Sequence, residues 1–343
     1  MLLYPFSILY KVITGLRNYL YNSGTKASYL SPVTTVIIGN LSAGGTGKTP
    51  HTAWLIQQLR QHYKIVTLSR GYKRKTKGFL VADHRSDAAQ IGDEPAEYVQ
   101  RFPGITVTVG EDRVSAVRQI ETLLPETDII LLDDAFQHRR IDAHVKVLLT
   151  TYDDPFYRDK VLPEGRLREA AGGYKRADYI IVTKCPGILS APEQEAVIRD
   201  IRPCPHQKVL FSRYNYYPPV HIMTGAPLPA SGKIIVAVSG IANSRHLLEH
   251  LRRDGEVVID ISFKDHYEYT PEIIRKLLDT YPEDHYQILL TRKDAVKWQL
   301  HADLFPDRNI GVIDIEVVFQ DNTDTFIQHI EQLIQYNNEQ RHR

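Results

Sequence analysis

Cysteine is nearly absent from this sequence, since the 343 residues include only two, Cys185 and Cys204. The pair forms neither a Cys-x-x-Cys motif nor a zinc-ligand spacing, which argues against a disulfide framework and a cysteine-based metal centre. So few thiols in a chain of this length are typical of a reducing compartment. We therefore interpret both as incidental thiols.

An excess of charge of one sign is also missing, because 42 basic and 41 acidic residues give a formal net charge of +1. That balance gives no bulk electrostatic argument for nucleic acid, and we expect no such partner. No run reaches the roughly 18 apolar residues that a membrane-spanning helix needs. The composition, 43% hydrophobic and 24% charged, is instead ordinary for a folded chain of two domains or one large domain.

A glycine-rich loop at 39–49, GNLSAGGTGKT, follows an apolar run at 33–38 and precedes a helical pattern at 52–59. Strand, glycine-rich turn, Lys-Thr and helix are the context of a P-loop, whose backbone N–H groups surround phosphate oxygens. Lys48 would reach the β- and γ-phosphates, and the Thr49 hydroxyl would bind Mg²⁺. Ser42 stands where the strict pattern has glycine, so a ligand-free turn is the alternative. The predicted nucleotide-binding residues are Ser42, Ala43, Gly44, Gly45, Thr46, Gly47, Lys48 and Thr49.

A second apolar run, DIILLDD at 128–134, ends in two acidic residues. Such a run is typical of a Walker B strand, which lies beside the P-loop strand and brings a carboxylate to Mg²⁺. Alone the pattern is weak, because buried strands often end in aspartate, but its position after a P-loop strengthens it. We predict Thr49, Asp133 and Asp134 as metal ligands.

Strand-like and helical segments alternate along the rest of the chain. This alternation predicts an α/β fold, with a P-loop NTPase-type, mostly parallel sheet and helices on both of its faces. A proline-rich stretch at 214–232 predicts a hinge or linker. We expect a P-loop domain at 25–213 and a smaller C-terminal α/β domain at 233–343.

The first 24 residues place apolar side chains at helical spacing, together with several tyrosines and two cations. A helix with this pattern fits the surface of a membrane, where tyrosine is favoured. The alternative is a helix packed on its own domain. A basic loop at 70–77 likewise has two interpretations, a solvated loop or a site for an anionic substrate.

An enzyme that moves phosphate from a P-loop to an alcohol also needs a base to take the hydroxyl proton. Asp93, in a Gly-Asp-Glu-Pro segment, is a candidate if that segment reaches the carboxyl edge of the sheet, where ligands bind. An aspartate there is also a plausible helix cap. His266, which follows a later strand, would orient or assist Asp93.

Nine short motifs occur in an order that closely resembles the tetraacyldisaccharide 4'-kinase (lipid A 4'-kinase) family. The resemblance extends from the N-terminal helix to about residue 300. The motifs are SAGGTGKTP (42–50), SRGYKR (69–74), GDEP (92–95), GEDR (110–113), LLDDAFQHRR (131–140), LPEGRLRE (162–169), SGIAN (239–243), FKDHYEY (263–269) and TRKDAVK (291–297).

The resemblance implies transfer of the ATP γ-phosphate to the 4'-hydroxyl of a tetraacylated glucosamine disaccharide 1-phosphate, giving lipid IVA for lipid A. It implies ATP and Mg²⁺ as cofactors and a peripheral location on the cytoplasmic face of the inner membrane. We expect a monomer. Asp93, His266 and Lys48 would be catalytic. Arg70, Arg113, Gln137, His138 and Arg168 would lie in the active-site region.

Several positions depart from the family pattern, among them Ala135, Ala170, Ser244 and Arg292. The family's FPDHH segment reads FKDHY here, so only the first of its two adjacent histidines, His266, remains. Arg292 reverses the charge of a glutamate, and nothing in the sequence explains this change. Two rival hypotheses assume nucleotide binding at the P-loop but no site for a phosphate acceptor. One is a membrane-associated ATPase that switches a partner protein, and the other is a module that senses a nucleotide and leaves it intact.

Overall fold

The structure, a computed structural model, describes residues 3–228, 232–253 and 257–341. Residues 1–2 of the expected N-terminal helix, 229–231 of the expected linker and 342–343 of the tail therefore lie outside the described residues. The helices are α1 Tyr4–Asn22, α2 Lys48–Leu59, α3 Ala88–Ile91, α4 Asp93–Arg101, α5 Arg113–Leu123, α6 Ala191–Ile201, α7 Arg245–Arg252, α8 Pro271–Thr280, α9 Arg292–Trp298 and α10 Asp324–Arg341. The strands are β1 Thr34–Asn40, β2 Ile65–Ser69, β3 Leu80–Val81, β4 Thr106–Val109, β5 Ile129–Asp133, β6 Val145–Thr151, β7 Tyr179–Thr183, β8 Lys208–Tyr216, β9 Val220–His221, β10 Ile234–Ser239, β11 Val258–Ser262, β12 Tyr286–Thr291, β13 Gly311–Ile313 and β14 Ile315–Phe319.

The strands of the described residues form a nine-stranded sheet, ordered β14-β8-β7-β6-β1-β5-β2-β4-β3, and a five-stranded sheet, ordered β11-β10-β12-β13-β9. Among these described strands, only the edge strands β14, β3 and β9 pair antiparallel with their neighbours. This arrangement confirms the mostly parallel α/β fold that the alternation predicted. Because the carboxyl ends of parallel strands meet at one edge, the loops after them converge there.

Strand β1 lies between β5 and β6, where every side chain is buried. Its side chains alternate between two hydrophobic cores: Val36 packs in one and Ile37 in the other. A strand buried on both faces reads as a continuous apolar run, which explains the pattern seen in the sequence. In register, Ile38 pairs with Asp133, so the acidic end of β5 lies beside the start of the P-loop.

The chain passes between the two sheets twice. It first leaves β8 for β9, and it later returns from β13 to β14 through the single residue Asp314. Strand β14 then pairs with β8, and α10 packs on the same core as β1. Residues 315–341 thus pack with the P-loop sheet, unlike the expected unit of 233–343. This segment packs there because Phe326, Ile330 and Ile334 of α10 are buried in the hydrophobic core of the first sheet.

Helix α1 packs against the rest of the protein through polar side chains, whereas its apolar side chains are exposed. The side facing the rest of the protein carries Ser7, Tyr10, Thr14, Arg17 and Asn18, with Ser7 and Thr14 fully buried. Ser7 Oγ accepts a hydrogen bond from the Glu164 N–H at 2.9 Å, and the Tyr10 hydroxyl donates to the Arg168 carbonyl at 3.1 Å. The apolar side chains of the helix point away from the protein. Among the described residues, no helix is both long and apolar enough to cross a membrane.

Ile330→Ala should lower the free energy of unfolding of the P-loop unit by about 2–5 kcal/mol, because it opens a cavity in a core that Ile330 shares with β1. Chemical denaturation followed by intrinsic fluorescence measures this loss. Ile188→Ala is the matched control, since Ile188 is 81% exposed and should change stability by less than about 0.5 kcal/mol. Equal stability of the two variants would show that α10 does not belong to this core.

Candidate active site

A cavity of about 720 Å³ lies where the loops at the carboxyl ends of both sheets meet. The first sheet contributes the P-loop residues 44–49 and the acidic end of β5. The second contributes the loop after β10, the segment around His266 and the start of α9. Because both sheets supply its walls, the cavity has the form expected of a site that holds two reactants.

The P-loop is fixed by side chains from neighbouring strands. Asn40 Nδ2 donates to Thr46 Oγ1 at 2.8 Å, and Thr183 Oγ1 donates to the Thr46 carbonyl at 2.9 Å. Gly47 has a φ of 90° at the N-cap of α2, and a Cβ there would lie 2.3 Å from the Tyr214 hydroxyl. Position 47 therefore requires glycine. Helix α2 begins at Lys48, and the backbone N–H groups of its first turn, which have no partner within the helix, are placed to bind an anion.

Asp133 has the surroundings of a cation ligand. Its side chain is buried, and Oδ2 accepts a hydrogen bond from the Tyr98 hydroxyl at 2.9 Å. Oδ1 is buried with no hydrogen-bond partner in the described residues. Burial and the nearby Glu94 carboxylate raise the pKa of Asp133 to about 7. A buried carboxylate oxygen without a partner fits a bound cation.

Two further oxygen ligands suited to Mg²⁺ lie on the cavity wall with Asp133. The Thr49 hydroxyl lies 3.3 Å from Glu94 Oε1, and both residues line the cavity with Asp133. No group of three His, Cys, Asp or Glu side chains forms a closed metal site in the described residues. Mg²⁺ in kinases usually takes only one or two carboxylates, with phosphate and water as its other ligands. The residues present therefore fit this ion.

Asp134 is placed differently, because cations already surround it. Arg168 Nη1 lies 2.9 Å from Asp134 Oδ1, and Lys48 Nζ lies 3.6 Å from the same oxygen. Burial alone would raise the pKa of Asp134, but the charges of Lys48 and Arg168 outweigh burial and hold this pKa below its usual value. Asp134 thus orients the two cations of the phosphate site.

Asp93 contacts two residues of the second sheet's unit. His266 Nδ1 lies 3.0 Å from Asp93 Oδ2, and Lys297 Nζ lies 2.8 Å from the same oxygen. Burial alone would raise the pKa of Asp93, but the His266 hydrogen bond and the Lys297 charge outweigh it and lower the pKa. Asp93 is the first residue of α4, whose positive N-terminal end also favours the carboxylate.

Helix α9 explains how the second unit reaches Asp93. Lys293 and Lys297 are four residues apart and share one face of the helix. Lys293 Nζ lies 3.0 Å from Asp265 Oδ1 and 3.3 Å from His266 Nε2. Between them, buried Asp294 accepts hydrogen bonds from the Gly240 N–H and the Tyr269 hydroxyl, both at 3.0 Å. Asp294 thereby ties α9 to the loop after β10.

The structure places most of the predicted site residues on one cavity. Arg70, Arg113, Gln137, His138 and Arg168 all line it, as do Gly44, Gly45, Thr46, Gly47, Lys48, Thr49, Asp133, Asp134 and His266. Ser42 and Ala43 do not. Asp93 lies behind its neighbours Glu94 and His266 and does not line the wall itself.

Sequence reasoning assigned no role to Lys297, Lys293 or Glu94. The two lysines stand in the TRKDAVK segment, and their spacing of four was the available signal. Their partner residues lie far from them in the sequence and are brought near only by the fold. Glu94 follows Asp93 directly, and this pair of adjacent acidic residues was the available signal that Glu94 also belongs to the site.

The charge-reversing departure at Arg292 has a structural explanation. Arg292 Nη2 lies 3.0 Å from Oδ2 of Asp314, the residue that joins β13 of the second sheet to β14 of the first. Arg101, at the end of α4, lies 3.7 Å from the other oxygen of that carboxylate. One arginine from each side therefore holds Asp314.

Comparison with known proteins gives consistent results. The sequence model of a family described as "Tetraacyldisaccharide-1-P 4'-kinase" (LpxK) matches residues 1–335. A protein of Cytophaga hutchinsonii named tetraacyldisaccharide 4'-kinase is 43% identical over 86% of this chain and 84% of its own length. A protein of the same name from Bacteroides thetaiotaomicron is 36% identical over 96% of this chain and 91% of its own.

A solved structure resembles the whole chain. The crystal structure of LpxK from Aquifex aeolicus in complex with ATP superposes with a TM-score of 0.76 at 27% sequence identity. The match covers 97% of this chain and 100% of the other. The fold is thus shared over nearly the whole of this chain.

Proposed function

Because this chain belongs to the tetraacyldisaccharide-1-P 4'-kinase family and is an ATP-dependent kinase of lipid A biosynthesis, we propose that Asp93 takes the proton of the hydroxyl that is phosphorylated. The observation that carries the proposal is the contact of Asp93 Oδ2 with both His266 and Lys297. An ATPase that acts on water needs no carboxylate held in this way by a second unit. The acceptor is the 4'-hydroxyl of the tetraacyldisaccharide 1-phosphate.

Asp93 with a lowered pKa is a weak base, yet it suits this reaction. Phosphoryl transfer has a loose transition state, in which little proton transfer is needed early and positioning dominates. A carboxylate that stays ionised can orient the hydroxyl throughout and accept its proton as the new O–P bond forms. His266 and Lys297 fix the orientation of Asp93 and keep it ionised.

The phosphate groups of ATP would lie over the N–H groups of the P-loop and the start of α2. Lys48 would neutralise charge on the transferring phosphoryl group, while Asp134, itself paired with Arg168, holds Lys48 in place. Asp133, Thr49 and Glu94 would hold Mg²⁺, which supplies charge neutralisation at the β- and γ-phosphate oxygens when bound.

The two sheets correspond to two moving units in this proposal, with boundaries that differ from the expected ones. Residues 25–216 with 315–341 form the P-loop unit, and most of 217–313 forms the second unit. Asp314 and the opposite connection at 217–219 would form the hinge between them. Opening at this hinge would carry His266 and Lys297 away from Asp93, which would admit the acceptor to the site.

Lys297→Met should shift the acid limb of the kcat/KM profile to higher pH. The base must be ionised, so activity falls as pH drops through the pKa of Asp93, and loss of the Lys297 charge raises that pKa. The pH dependence of kcat/KM at saturating ATP measures the shift. Lys297→Arg should restore the wild-type profile, and Lys276→Met, at an exposed site on α8, should leave it unchanged. An unmoved acid limb in Lys297→Met would refute the role given to Lys297.

Helix α1 supports a membrane contact for this enzyme. Among its outward side chains, Phe6 is 62% exposed, while Leu9, Val12 and Leu16 are each 59% exposed. An apolar face of this extent is unusual on a soluble surface and suits the boundary between headgroups and acyl chains. The polar stripe of α1 packs beside the cavity, so the helix would place the site at the membrane surface. We propose the cytoplasmic face of the inner membrane as that surface.

A Leu9→Glu, Ile13→Glu double variant should bind phospholipid vesicles at least about tenfold more weakly, because two apolar side chains no longer enter the lipid. Vesicle co-sedimentation measures the change. Leu123→Glu is the matched control, since Leu123 is 60% exposed on α5, away from α1. Undiminished vesicle binding by the double variant would contradict the contact.

A further inference from the structure

A second cavity, of about 430 Å³, lies beneath α1 and adjoins the main one. Arg17, Arg113, Gln137 and His138 line both cavities, so the two share a wall. Arg139 and Tyr21 line the second cavity and not the main one. We call this space, with Arg17, Arg113 and Arg139 on its walls, the arginine cavity.

The three arginines of the arginine cavity lack acidic partners within the described part of the chain. Two carboxylates also line it, but Glu111 pairs with Arg74 at 2.6 Å and Asp112 pairs with Arg140 at 3.1 Å. Because these acids already pair with other arginines, they form no ion pair with Arg17, Arg113 or Arg139. Asp133 and Asp134 partly balance the charge of Arg113, and Glu169 and Asp142 partly balance that of Arg139.

The guanidinium groups also have unused hydrogen-bond donors. Arg113 is only 2% exposed, and although its Nη1 donates to the Gly110 carbonyl, its Nε and Nη2 have no partner in the described residues. Arg17 Nε and Arg139 Nη1 are also buried without a partner there, while the Nη2 atoms of these two side chains donate to Asn18 and Asn22. A buried cationic donor without an acceptor is costly, and three arginines with such donors line this one space, which points to an anion with several oxygens.

The local potential agrees with this interpretation. Burial lowers the pKa of His138, and the charges of Arg113, Arg70 and Arg17 lower it further, to about 4. His138 therefore stays neutral at physiological pH and adds a hydrogen-bonding group without more charge. Phosphate monoesters match such a site, because arginine pairs with their oxygens in a planar, two-point geometry.

We propose that the arginine cavity binds the phosphate that the acceptor lipid already carries at position 1, an assignment that depends on the proposed function. The main cavity extends from the P-loop to Tyr10 and Arg17 of α1, and the arginine cavity is bordered by Arg17 and Tyr21 of the same helix. An acceptor that extends from the P-loop toward α1 would therefore reach the arginine cavity. A disaccharide held by its 1-phosphate among Arg17, Arg113 and Arg139 presents its far end to the reacting groups. The arginine cavity therefore selects a phosphorylated acceptor and sets its orientation.

The test compares acceptor with and without the 1-phosphate, in micelles of a neutral detergent that contain no anionic lipid. Wild-type enzyme should have a higher kcat/KM for the phosphorylated acceptor. Arg17→Gln and Arg139→Gln should each reduce this preference about tenfold, through the phosphorylated acceptor alone. Arg158→Gln, which removes an equally positive but 67% exposed side chain, should preserve it.

Two results would overturn the proposal: an unchanged preference in both variants, or an equal loss with both acceptors. The second result would place these arginines on the transferring phosphate or in general support of the fold. Binding of the two acceptors without ATP, measured by calorimetry, separates this proposal from the kinase reaction. Preferential binding without any turnover would sustain the anion site and contradict the catalytic proposal instead.

Discussion

Asp93→Asn should lower kcat by about 10²–10⁴-fold while ATP binds with near wild-type affinity. Asparagine keeps the size of the side chain but cannot accept the hydroxyl proton. The side chain of Asp93 forms no contact with the P-loop, Lys48 or Asp133 among the described residues, so the nucleotide site should persist. Steady-state kinetics at saturating lipid, with ATP affinity measured by titration, give the two quantities.

The variant needs a check on folding, because the Asp93→Asn change would leave Lys297, whose side chain is 7% exposed, without its acidic partner. A thermal unfolding scan gives the folded fraction at the assay temperature, to which kcat is normalised. Asp279→Asn, at an exposed position on α8, is the matched control and should retain full activity. Full turnover by Asp93→Asn would exclude Asp93 as the base.

Lys48→Met should lower kcat by about 10²–10³-fold, the loss typical of removing one preorganised group that stabilises charge in a transition state. Lys48 is largely buried, and Asp134 holds it at the mouth of the P-loop. Methionine keeps the aliphatic length of the side chain, so the P-loop should keep its shape. Single-turnover measurement of the chemical step isolates the effect from product release.

Lys160→Met provides the comparison, because Lys160 is 68% exposed and pairs with Glu164 at the surface. It removes the same charge from the protein and should leave kcat unchanged. A Lys48→Met enzyme with the rate of the Lys160→Met enzyme would mean that the loop does not hold the transferring phosphate.

The sequence predicted the first sheet well, since the signals there are local. A fully buried parallel strand is apolar throughout, and the turn after it needs glycine, so β1 and its P-loop are readable from one short stretch of sequence. The position of Asp133 beside β1 follows from the same logic, and the pairing of Ile38 with Asp133 confirms it. Helix α1 was also expected from its periodicity.

Other features depend on contacts between distant parts of the chain. Strand β14 resembles any short apolar strand, and only its pairing with β8 shows that residues 315–341 return to the first sheet. Lys297 has no local mark of function, because its role comes from Asp93, which α4 presents from the other unit. Arg292 looked anomalous until the fold placed Asp314 against it.

Incubation of the enzyme with the tetraacyldisaccharide 1-phosphate and ATP labelled at its γ-phosphate, in mixed micelles, distinguishes the kinase from the rival ATPase. A kinase whose base is Asp93 moves the label to the 4'-position of the lipid, and Asp93→Asn slows this transfer. The rival ATPase releases free phosphate equally with or without lipid. Label found only as free phosphate would exclude the kinase reaction, and lipid labelling unaffected by Asp93→Asn would exclude Asp93 as its base.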